Sequence, residues 1–109
     1  MKKILCLLLT IFFVNSSYAE SEMTLEKCSE LSQMAGLIMK MRQDGSTMAE
    51  VYIQNAQVTD NNKIYLLNTL TKDAFTYSRR AGYTAQENII LDFQNNKFIN
   101  CFDTIEPIE

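Results

Sequence analysis

The chain reads as an all-α protein: a small four-helix single domain, closed by one disulfide and preceded by a cleavable signal peptide. Three observations predict this. Beyond position 20 the apolar residues recur at helical spacings rather than in strict alternation. Glycines and Thr-x-x-Glu sequences punctuate that pattern where helices would end and begin. Cys28 and Cys101 bracket most of it.

The first nineteen residues fall into three zones: Lys2 and Lys3, an apolar run from Ile4 to Val14, and a polar stretch ending in Ser17, Tyr18 and Ala19. This is the signal-peptide pattern, with small residues placed for cleavage after Ala19. As a helix the apolar run spans only about 16 Å, against the roughly 30 Å core of a bilayer, so a membrane anchor is the weaker reading. Cys6 lies near the start of the run rather than after it and is expected to leave with the leader. Residues 1–19 are therefore read as a leader and 20–109 as the helical domain, ordered over about 23–103, in the periplasm or secreted, with no stable membrane insertion after cleavage.

Loss of Lys2 and Lys3 takes the basic residues from 10 to 8 against 13 acids, leaving a formal charge of −5. Eight scattered cations on an acidic chain argue against a nucleic-acid footprint. In an oxidising compartment the two remaining cysteines are expected to pair with each other. A loop of more than seventy residues closed this way is worth about 4 kcal/mol in the chain-entropy model. A redox pair is the rival reading, but such cysteines usually lie two residues apart.

The first helix, about 23–43, is drawn by Leu25, Cys28, Leu31, Ala35, Ile38 and Arg42, with Met34, Leu37, Met39 and Met41 widening the stripe. Gly45 ends it, and Thr47 with Glu50 forms a capping box for a second helix over about 48–58. Val51, Ile53 and Val58 are β-branched, yet the capping box and the lack of alternation favour helix. A third helix starts near Asn62, with Asp60 or Asn61 as N-cap. It presents Ile64, Leu67, Leu70, Ala74 and Tyr77 on one side and is expected to carry Arg79 and Arg80 in its last turn before Gly82 stops it. Thr84 and Glu87 suggest a second capping box, opening a fourth helix through Ile90, Phe93, Phe98, Cys101 and Phe102. The tail from Thr104, with the only proline, is expected to fray.

The chemistry available is narrow. There is no histidine, and with the cysteines paired there is no thiol, so Ser–His–Asp and Cys–His catalysis and zinc sites of His or Cys are excluded. Paired carboxylates of the glycosidase kind are conceivable, but Glu50, Glu87 and Asp92 have capping or surface roles. Asp60, Asn61 and Asn62 begin like a calcium loop, whose twelfth position needs a glutamate and here is Thr71. No catalytic residue, metal or cofactor is assigned. Met34, Met39, Met41 and Met48 suit core filling better than an adaptable groove or a soft-metal site. The candidate partner-binding residues are Phe75, Tyr77, Arg79, Arg80 and Tyr83, because Tyr and Arg are enriched at interface hot spots. The same residues also fit buried aromatics with dipole-complementing arginines.

Cys28, Ala35, and the run Arg42-Gln43-x-Gly45, followed by Ala74, Phe75, Arg79 or Arg80, Thr84, Asp92, Phe93, Asn95, Phe98 and Cys101, resemble a pattern in small exported two-cysteine helical proteins of gammaproteobacteria and their prophages. The resemblance covers nearly the whole domain and departs where a proline commonly precedes the arginine, since Ser78 stands there. It implies a fold and a compartment, not an activity. A looser likeness in architecture is to helical periplasmic immunity proteins. The functional expectation is a non-enzymatic envelope protein that binds another envelope or secreted protein, as an immunity or inhibitor factor. The alternative is a carrier of a small molecule or lipid in a gap lined by Met34, Ile38, Met41 and Leu67.

Overall fold

The computed structural model describes residues 24–105, which form four α-helices and no strand. The expected leader, its expected cleavage site and the tail 106–109 lie outside the described residues.

Helix α1 (Leu25–Asp44) begins where the Thr24 side chain accepts the Lys27 amide, two residues later than the apolar stripe suggested. It ends in a Schellman turn. Gly45, at φ 103°, donates its amide to Arg42 C=O at 3.2 Å, and the Ser46 amide reaches Met41 C=O at 3.0 Å. Helix α2 (Met48–Asn55) opens on the expected capping box: Thr47 Oγ1 accepts the Glu50 amide, and Glu50 Oε1 accepts the Thr47 amide at 2.8 Å. It stops at Asn55 rather than 58, because the Asn55 side chain turns inward, donating to Thr71 Oγ1 at 3.0 Å and Asn68 Oδ1 at 3.1 Å. That buried amide fastens α2 to α3.

Helix α3 (Asn61–Ala74) is capped by Asp60, whose Oδ1 accepts the Asn62 and Lys63 amides. It ends at Ala74, several residues short of the expected end. The Thr76 hydroxyl donates to Asp73 C=O, and the amides of Thr76 and Tyr77 close tight three-residue turns onto Asp73 and Ala74. Arg79 and Arg80 therefore stand in a loop, not in the last turn of α3. Helix α4 (Tyr83–Ile105) starts one residue before Thr84, its first backbone bond running from the Gln86 amide to Gly82 C=O. The Thr84–Glu87 capping box is absent. Gln86 closes this helix start instead, its side chain donating to Arg80 C=O at 2.9 Å. The helix runs on through Thr104 and Ile105, beyond the expected fraying point.

Helices α1 and α4 run antiparallel and form the main packing unit, with α3 against α1 and α2 against α3. Cys28 and Cys101 are bonded across the open end of this pair, with Cα atoms 5.5 Å apart, and both are buried. Midway along, Gly36 lets the helices approach. A Cβ there would lie 2.5 to 2.7 Å from the side-chain atoms of Gln94, and Ser32 Oγ donates to Gln94 C=O. The core comprises Ala35, Ile38, Met39, Leu70, Ala74, Ile89 and Phe93. Met34, Met41 and Leu67 pack against it, which places the methionines of α1 in the core, while Leu37 points outward at 63% exposure. Among the described residues no helix is long and apolar enough to cross a membrane.

Candidate functional site

The five candidate residues lie on one segment, from the end of α3 to the start of α4, and the structure divides them by depth. Phe75 and Tyr77 are half-buried supports. Tyr77 meets the fully buried Phe93 edge to face, with centroids 5.4 Å apart, and the Arg42 guanidinium lies 4.8 Å over the Phe75 ring. Arg79 and Arg80 are exposed, and Tyr83 is the most exposed large apolar or aromatic side chain among the described residues, at 76%.

What shapes this segment is the end of α1. Gln43, only 1% exposed, donates from Nε2 to Ser78 C=O at 3.1 Å and accepts the Arg80 amide on Oε1 at 2.7 Å. Its neighbour Arg42 donates from Nε to Tyr77 C=O at 3.0 Å. In return Arg79 donates from Nε to the Gln43 backbone carbonyl at 3.2 Å. Two adjacent side chains of α1 thus satisfy three backbone groups of residues 77–80 that a longer α3 would have satisfied internally. This supplies the physical reason for the short α3. The run Thr76-Tyr77-Ser78 has weak helix propensity, and the hydrogen bonds it would gain by continuing are available from α1.

Arg79 also explains Gly45. A Cβ on Gly45 would lie 3.3 Å from Arg79 Nη2, so the glycine provides both the left-handed turn and room for the guanidinium. Arg79 complements the C-terminal carbonyls of α1, not those of its own preceding helix. Gly82 has a similar φ of 96°, with nothing within 4 Å of an added Cβ. Gly82→Ala should therefore cost only backbone strain, about 1 kcal/mol, whereas Gly45→Ala should cost about 2 kcal/mol through strain plus displacement of Arg79. Urea unfolding of both variants measures the difference.

Gln43 is the residue that reasoning from sequence passed over. On a helical wheel a glutamine beside Arg42 and Asp44 reads as surface. The only signal was its place in the run Arg42-Gln43-x-Gly45, whose members meet Phe75 and Arg79 here.

No described side-chain polar atom that is buried lacks a hydrogen-bond partner. Among the described residues no three or more acidic or cysteine side chains are gathered to hold a metal ion. An open groove along α3 is bordered by Tyr65, Thr69 and Thr76 on the outer face of the helix. Comparisons with family models, with characterised proteins and with solved structures return no match for this chain.

Proposed function

We propose that the protein acts in the cell envelope by binding another protein through the exposed residues Arg79, Arg80 and Tyr83, in the manner of an immunity or inhibitor factor. Phe75 and Tyr77 belong to the platform beneath them. The observation that carries this reading is the contrast between the two layers of the segment. Its side chains with hot-spot chemistry stand in solvent, while its backbone is tied to the buried Gln43. A loop ordered before binding loses less entropy on docking, which makes an exposed Tyr and Arg pair effective there. The carrier reading gains no support from Met34, Ile38, Met41 and Leu67, which pack together in the core rather than around a gap.

The test uses the oxidised mature chain as bait in a periplasmic extract of its native host. A stoichiometric partner that is lost on Arg80→Glu or Tyr83→Ala is the expected result. Absence of a partner, with a small molecule released on denaturation, would favour the carrier.

A further inference from the structure

We infer that the partner presents an acidic segment, whose side-chain carboxylates are taken by the guanidinium groups around the loop between α3 and α4. The inference rests on the reading of this loop as a protein-binding surface, and it specifies the chemistry of what binds.

Three arginines gather where the last turn of α1 meets this loop: Arg42, Arg79 and Arg80. Arg42 and Arg79 each spend Nε on a backbone carbonyl, Tyr77 and Gln43 respectively, which fixes the guanidinium plane. Their terminal Nη groups make no hydrogen bond to described residues, and the Arg80 side chain makes none to them either. Such a fixed fork with its two outer donors unused is the geometry that receives a carboxylate.

Among the described residues no carboxylate lies within 4.0 Å of any of the three guanidinium groups. Lys40 pairs with Asp44 and Lys97 with Asp73. Asp44 and Asp73 thus already have partners and Glu50 is engaged by the Thr47 amide, while Glu87 stands exposed on the second turn of α4. The C-terminus of α1 adds about half a unit of negative charge. Set against three guanidinium charges, that term, Glu50 and Glu87 still leave the loop slightly positive, on a chain with 13 acidic and 10 basic residues. The contrast also selects the partner. A long polyphosphate or nucleic-acid strand would run past the loop onto acidic surface, whereas a short acidic stretch of a protein meets only the positive region. Tyr83, exposed at the start of α4, adds an amphipathic contact beside it.

The experiment titrates the folded, oxidised chain into a fluorescent peptide of alternating glutamate and glycine at low ionic strength, with the glutamine version of the peptide and inorganic polyphosphate as comparisons. Saturable binding of the glutamate peptide alone is expected. Its affinity should fall about tenfold in Arg80→Glu and about tenfold again on raising salt to about 0.5 M. Lys63→Glu, an exposed cation at the start of α3, should change it less than about twofold. Arg80 is the informative position because its side chain holds nothing in the fold, so the variant keeps the wild-type circular dichroism spectrum. Equal binding of the glutamine peptide, tighter binding of polyphosphate through the same arginine, or equal loss in Lys63→Glu would each overturn the inference. If the glutamate peptide fails while a captured partner is still lost on Tyr83→Ala, protein binding at this loop stands and the acidic class falls.

Discussion

Replacing Gln43 by alanine is expected to lower the free energy of unfolding by about 3 kcal/mol. The side chain is almost wholly buried and serves Ser78 C=O and the Arg80 amide at once. Deleting it leaves a donor and an acceptor without partners, each costing about 1 to 3 kcal/mol if they stay buried, with relaxation of the loop recovering part of the sum. Gln43→Leu, similar in volume, should lose nearly as much, because filling the space does not restore the bonds. The effect is also local. Loss of this tether should free the Ser78–Arg80 backbone, so limited digestion with trypsin should cleave after Arg79 and Arg80 in Gln43→Ala well before it does so in the wild type. Equal cleavage rates in the two proteins would mean that the loop is held by something other than Gln43.

Removing the disulfide is expected to cost more, about 4 kcal/mol. The bond joins residues 73 apart in sequence, one near the start of α1 and one near the end of α4, so it restricts almost the whole unfolded chain. For a domain of this size such a loss corresponds to a fall of about 20 °C in Tm. The Cys28→Ala/Cys101→Ala double variant tests this by thermal unfolding, and the reduced wild type should fall with it. If reduction leaves Tm unchanged, the α1–α4 interface alone accounts for the stability of the pair. Within that interface Gly36 and the buried Phe93 then carry the packing.

The disulfide and Gln43 mark what sequence does and does not reveal. Cys28 and Cys101 could be paired from sequence once Cys6 was read as part of a leader, which leaves one connectivity, and the Thr47–Glu50 box and Gly45 are local signals that each fix a boundary. Helix α3 was misjudged for the opposite reason. Residues 75–80 continue a plausible helical pattern, and what stops it comes from Arg42 and Gln43, 35 residues and more away in the chain. The misplaced start of α4 has the same origin, since the Arg80 backbone, pinned by Gln43, leaves its carbonyl for Gln86. Propensity describes a segment alone, whereas these limits are set by a neighbour. The candidate binding residues lie on one stretch of the sequence, but their division into support and surface follows from Phe93 and Arg42, which no spacing rule connects to them.

The antiparallel pair gives the molecule two unlike poles. Cys28 and Gln43 are separated by about 22 Å along α1, taking the ordinary rise of a helix. At one pole Thr24 and Ile105 bring the entering and leaving chain together beside a covalent bond. At the other the chain turns back through a loop held by hydrogen bonds and aromatic contacts alone, with no covalent bond. Any tether joined at Thr24 or Ile105, whether an affinity tag or a surface linkage, is thus stationed at the covalent pole and leaves the arginine-bearing pole at the far end.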